Sequence, residues 1–182
     1  MGLFSRLFGS HEEAKAAAGR SAYPQHEAYS DMRVQVLRLT AADLHLPARP
    51  HVTIAAMMES AYAEAVASLV TVADGSASIY FSTGGAVLGR GEHESVRASA
   101  RSFLDLAASS RAELVPTDSF PLPRAKQVRF YLVTTDGVLT GEAEEEALGH
   151  MRHPLFPLFH TGHAVIAAIR QLGAPRSASP GK

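Results

Sequence analysis

The chain has 182 residues, 46% of them hydrophobic, with a formal net charge of −1 and no cysteine. That length suits one domain with a core of its own, and the charge balance gives no electrostatic drive toward nucleic acid. The absence of cysteine excludes disulfides, thiolate nucleophiles and cysteine-ligated zinc or iron–sulfur sites, and it fits a cytoplasmic protein.

No apolar run approaches the ~18 residues of a membrane span. The first apolar stretch is broken at Arg6, too early for a signal peptide. Within residues 1–9, Leu3, Phe4, Leu7 and Phe8 fall on one helical face. Such a segment packs on its own domain, docks on a partner, or lies on a membrane surface. Residues 10–30 are rich in Ala, Glu, Gly and Ser and read as a linker. Residues 31–46 read as a helix with Asp31 as its N-cap and Val34, Leu37 and Leu44 as a broken apolar stripe, ended by Pro47 and Pro50.

A compact core is expected over 50–172, so that 31–172 forms one domain. Residues 52–58 read as a strand on Val52, Thr53 and Ile54, followed by a turn or short helix at 60–64, although the Ala and Met residues in the run favour a helix. An Asp-Gly turn then occurs twice between apolar runs. Residues 68–73, Asp74-Gly75 and 76–81 form the first set; residues 128–135, Asp136-Gly137 and 138–140 form the second. Asp-Gly predicts a type I′ hairpin, in which both central residues take φ > 0. Gly84-Gly85 offers a further turn into a short strand at 86–88.

Residues 92–110 give the clearest helix, with Val96, Ala100, Phe103, Leu104 and Ala107 on one face. The segment 116–123 holds three prolines and cannot be a central strand. A short acidic helix over 142–148 stops at Gly149, and a last helix over 158–172 carries Val165, Ile166, Ile169 and Leu172. Residues 173–182 form a polar tail expected to be disordered. The sum is an α+β domain. One antiparallel sheet of about five strands carries two main helices packed mostly on one face, with an N-terminal helix and flexible tails.

Few motifs carry chemistry. Gly84 and Gly89 have phosphate-loop spacing, but Arg90 and Gly91 stand where Lys and a hydroxyl are needed, and Glu92 and Glu94 would repel an anion. No serine sits in a nucleophile elbow, and nothing calls for a cofactor. His150, His153, His160 and His163 form two His-x-x-His pairs, the one pattern with metal-ligating residue types. Pro154 and Pro157 separate the pairs, and core packing beside Phe156 and Phe159 is the competing expectation. Arg97, Arg101 and Arg129 suit ion-paired or solvated faces better than an anion site. Phe120 and Leu122 in FPLP, and Leu155, Phe156 and Phe159 in HPLFPLF, place large apolar groups on stiff backbone. They either plug the core or meet a partner, as do Phe4 and Phe8 near the N-terminus.

In its order of strand, Asp-Gly hairpin, helix, hairpin and helix, the stretch 69–172 resembles the small bacterial roadblock and longin-type (profilin-like) domains. These lay helices on an antiparallel sheet and act as dimeric scaffolds or regulators of small GTPases. Roadblock domains open with a helix, which holds here only if residues 52–64 are helical. The wording ADGSASIYFSTGG, GRGEH, FPLP and VRFYLVTTDGV is also similar to a bacterial family of unassigned role.

The expected function is a non-enzymatic protein–protein interaction or regulatory scaffold in a bacterial cytosol. Its expected partners are a second copy or another protein, not nucleic acid. The alternatives are a metal binder or metal-dependent hydrolase using the four histidines, and a peripheral membrane adaptor anchored by residues 1–9.

Overall fold

The computed structural model describes residues 23–89 and 93–173, with the backbone alone at Leu172. The segment 1–9, with Phe4 and Phe8, lies outside the described residues, as do 10–22 of the expected linker and all but Gly173 of the expected tail. Among the described residues the elements are α1 (Glu27–Leu37), β1 (Thr53–Ala61), β2 (Val66–Val72), β3 (Ala77–Phe81) and β4 (Ala86–Gly89). They continue with α2 (Glu94–Ser109), β5 (Val115–Pro116), β6 (Gln127–Thr134), β7 (Gly137–Glu144), α3 (Glu145–Gly149) and α4 (Phe156–Gly173). The strands form a single sheet in the order β4-β3-β2-β1-β6-β7-β5, with every neighbouring pair antiparallel.

The α+β class and the antiparallel sheet are as expected. The counts are not: seven strands replace five, four α-helices replace two main ones, and the sheet is covered on both faces. Ala56, Met58, Leu69, Ile79, Phe130 and Leu132 pack under α2, α3 and α4. Ala55, Met57, Val70, Val72, Tyr131 and Val133 pack under α1, with Phe120 and Leu122 at the margin. β1 lies at the centre between β2 and β6, buried from above and below. A doubly covered strand reads as a continuous apolar run rather than an alternating one, which is why its sequence looked half helical. A register shift between Thr53 and Ala55 lets Ile54 and Ala55 serve the same face.

The first helix differs from the expected one. It starts at Glu27, with the His26 ring as its cap, accepting from the Ala28 amide at 3.3 Å. Asp31 is half-buried in its interior, and the helix ends at Leu37, well before the prolines. Its buried stripe is Tyr29, Met32, Arg33, Val36 and Leu37, a regular helical spacing. Arg33 sits in that stripe and disguises it. Residues 23–30 thus belong to the fold, with Tyr23 and Tyr29 buried, rather than to a linker.

α2 matches its expected face residue for residue: Val96, Ala100, Phe103, Leu104 and Ala107 are all buried. Burying Val96, Phe103 and Leu104 contributes about 1.5–3 kcal/mol each. Gly162 of α4 lets the helix come down on the sheet. A Cβ there would meet Met58 Sδ at 2.7 Å and Phe103 Cε2 at 3.1 Å.

The Asp-Gly hairpins exist, but not as type I′ turns. Only the glycines take positive φ, 85° at Gly75 and 118° at Gly137. At the first, Gly75 N–H donates to Val72 O and Asp74 Oδ1 accepts from the Ser76 amide at 2.9 Å. That is a type I turn with a left-handed glycine bulge, stabilised by an Asx bond. At the second, Thr134 pairs with Gly137 and Thr135-Asp136 makes the loop. The acidic helix also begins later than expected, because Glu142 and Glu144 belong to β7.

Candidate functional site

Three constellations offer chemistry or contact. The first is buried between α1 and the sheet. β1 places Glu59 with no exposure in the middle of the sheet, and the helical stripe of α1 aims Arg33 at it. Arg33 Nε donates to Glu59 Oε1 at 2.7 Å and Nη2 to Oε2 at 2.9 Å, a bidentate fork. Ser68 Oγ donates to Glu59 Oε1 at 3.0 Å, which leaves Tyr29 as the donor in its 2.8 Å bond to Ser68.

The same arginine clamps the FPLP segment. Arg33 Nη1 donates to Phe120 O at 2.7 Å and Nη2 to Pro121 O at 3.1 Å, while Tyr131 donates to Pro121 O at 2.6 Å. The guanidinium also lies 5.4 Å from the Tyr131 ring centre. Burial pushes the Tyr29 phenol well above its ordinary value, helped by the Glu59 charge. Burial and the same charge push Tyr131 up to about 12. For Arg33, burial acts to lower the pKa, but Glu59 outweighs it and holds the guanidinium protonated. A carboxylate held by a guanidinium fork and a hydroxyl is a poor base, and the phenols are locked as donors. The cluster is a latch that fixes α1 and residues 120–121 to the sheet.

The second constellation closes the end of the sheet beside a cleft of about 480 Å³ lined by Leu39, Thr40, Arg49, Ile54, Thr135 and Asp136 among others. Asp136 Oδ2 accepts from the His51 amide at 2.8 Å and lies 2.6 Å from its ring Nδ1. Arg111 Nη2 stands 3.7 Å from the same oxygen. His51 takes φ 63°, a left-handed conformation that the carboxylate holds in place. The Asp136 pKa is lowered, first by the His51 amide bond and then by the His51 ring and the Arg111 charge.

A carboxylate–histidine pair leaves Nε2 free, as a general base requires. The hydroxyl beside it is not free to react, because Thr135 Oγ1 donates to Arg49 O at 2.9 Å and accepts from the Val52 amide at 3.1 Å. These bonds tie the β6–β7 loop to the chain entering β1, so the group acts as a clasp.

The third constellation is the edge strand β4. It bonds to β3 on one side, and among the described residues nothing pairs with its other side. Val87 and Leu88 are 39% and 61% exposed. At the opposite edge β5 pairs with only Leu139 and Thr140 of β7, and its Pro116 has no amide to give.

The four histidines do not assemble. Among the described residues no group of three or more His, Asp and Glu side chains is placed to hold a metal ion. His150 is exposed at the end of α3, its Nδ1 2.9 Å from Glu146 O. His153 Nδ1 accepts from the Leu155 amide at 3.1 Å and starts α4. His160 packs edge-on against Phe156 and Phe159, and His163 against Phe159 at 4.4 Å. Burial lowers the His163 pKa.

The proposed contact residues turn inward as well. Leu155 and Phe159 are buried in the core and present no surface, and Phe156 is half-buried. Phe120 and Leu122 pack on the α1 side, Phe120 edge-on to Tyr131 at 5.9 Å. Arg129 is paired with Glu142 across β6 and β7, and Arg97 with Glu94. From the sequence Asp136 reads only as a turn residue and 86–88 only as a short strand, and Tyr29, Arg33, Glu59, Ser68 and His51 carry no motif. Glu59 was the one available signal, the lone charge in a nine-residue strand.

No family model, curated protein or solved structure matches this chain.

Proposed function

We propose that the chain is a non-enzymatic protein-interaction domain that takes its partner by strand addition at β4. The observation that carries this is the contrast between the two sheet edges. β5 is short and blunted by Pro116, whereas β4 offers four uncharged residues, Ala86-Val87-Leu88-Gly89, with two exposed apolar side chains. Exposed apolar edges without charge or proline are templates for another strand. The other polar clusters support the same conclusion, because each is closed on itself: Glu59 is forked by Arg33, and Asp136 is clasped to His51. The element-order resemblance to dimeric roadblock and longin-type scaffolds belongs to this proposal. No helix among the described residues is long and apolar enough to cross a membrane.

Leu88→Pro tests it. The bond from Phe81 N to Gly85 O sets the β3–β4 alternation. Val87 therefore bonds inward to Ile79, and the amides of Ala86 and Leu88 point outward. Proline at 88 removes one outward donor and leaves the β3 ladder intact. The tagged full chain should retain a stoichiometric partner, self or other, that Leu88→Pro loses at unchanged thermal stability. Identical partners for both proteins would refute strand addition at this edge.

A further inference from the structure

Resting on strand addition at β4, we infer that the partner is a second copy of this chain, joined antiparallel across a two-fold axis at Val87. Alternation along β4 fixes which groups are free. The amides and carbonyls of Ala86 and Leu88 point out, and those of Val87 are spent on Ile79. Two such edges running antiparallel satisfy each other in one register contained within residues 85–89. Ala86 lies opposite Leu88 of the second copy and exchanges bonds with it, Leu88 lies opposite Ala86, and Val87 meets Val87 as the close, non-hydrogen-bonded pair. The four outward donors in the two copies all find acceptors.

Charge and topology favour a second copy over a foreign strand. Residues 85–89 carry no charge, so two-fold pairing sets no like charges opposite each other, the usual obstacle to self-association at an edge. The edge is already ordered by β3, so pairing two of them orders no flexible peptide. The β5 edge cannot continue the sheet, since it has two residues and Pro116. Association through β4 therefore closes at two copies, an isologous dimer with one continuous fourteen-stranded sheet, twice the seven strands of each chain.

Sedimentation equilibrium of the full chain should show a reversible dimer. Leu88→Pro removes two of the four intermolecular bonds and should raise its dissociation constant at least about tenfold. The chain has no native cysteine, so an introduced thiol reports only contacts between copies. Val87→Cys places two sulfurs across the axis at strand-pair spacing and should oxidise quickly to a covalent dimer, while Leu88→Cys should remain mostly monomeric. A monomer at all concentrations overturns the inference, as does equal cross-linking at 87 and 88. If the monomer nonetheless captures another protein that Leu88→Pro loses, the second-copy inference falls and strand addition stands. If that capture is also unchanged, both fall.

Discussion

Removing the Glu59 carboxylate should cost more stability than any other single polar change in the domain. Glu59→Ala leaves the Arg33 guanidinium buried, its side chain 10% exposed, with two of its donors unmatched. It also leaves the Ser68 hydroxyl without its acceptor. Stranding one member of a buried ion pair costs about 3–5 kcal/mol. For a chain of this size that lowers Tm by about 6–20 °C, at roughly 2–4 °C per kcal/mol. Arg33→Met with Glu59→Leu removes both charges together and should recover most of the loss, since an apolar pair of similar volume can replace a buried ion pair. The recovery should be incomplete, because Phe120 O loses its donor and Pro121 O keeps only that of Tyr131. Urea unfolding of the two single variants and the double variant measures the coupling. A Glu59→Ala cost below about 1 kcal/mol, or additive single and double costs, would refute the latch.

Three further expectations follow from particular contacts. Gly162→Ala gains helix propensity of about 1 kcal/mol but drives a Cβ onto the buried Met58 and Phe103. The net change in urea unfolding should be a loss of about 1–2 kcal/mol, as overpacking outweighs propensity. The lowered pKa of Asp136 means that the native state holds its carboxylate charged. Its stabilisation is then present above the unfolded value of about 3.9 and lost as pH falls through the folded one, so Asp136→Asn should flatten the acid limb of a stability–pH curve. His163 acts in the same direction at higher pH: burial lowers its pKa, so the unfolded state binds more protons. Stability should decline as pH drops below about 6.5, and NMR titration should place His163 below the ordinary histidine value.

The sequence made the local elements readable where one face is dry and the other wet. α2 shows its five buried positions at helical spacing, and the hairpins show their glycines. β1 was harder because both of its faces are covered, which erases alternation and leaves an apolar run that suits either a strand or a helix. α1 was hidden by its own function. Arg33 occupies a buried position, and nothing local reveals that its counter-charge sits 26 residues away in a strand. β5 was invisible because a two-residue edge with a proline has no pattern of its own.

The candidate site failed in a different way. The histidines share residue type and spacing with metal ligands, but spacing in sequence does not set convergence in space, and each ring found a nearer partner. Apolar residues on proline-bounded backbone proved equally ambiguous: Leu155 and Phe159 fill the core, while Val87 and Leu88, both exposed, lie in a short strand whose sequence does not show which side is unpaired.

The most direct test of the account is amide hydrogen exchange at Ala86 and Leu88 in the full chain across a range of concentrations. If β4 pairs with a second copy, both amides should slow at least about tenfold between dilute and concentrated protein, while the inward Val87 amide stays slow throughout. Rates at Ala86 and Leu88 that do not change with concentration would contradict pairing of this edge with a second copy.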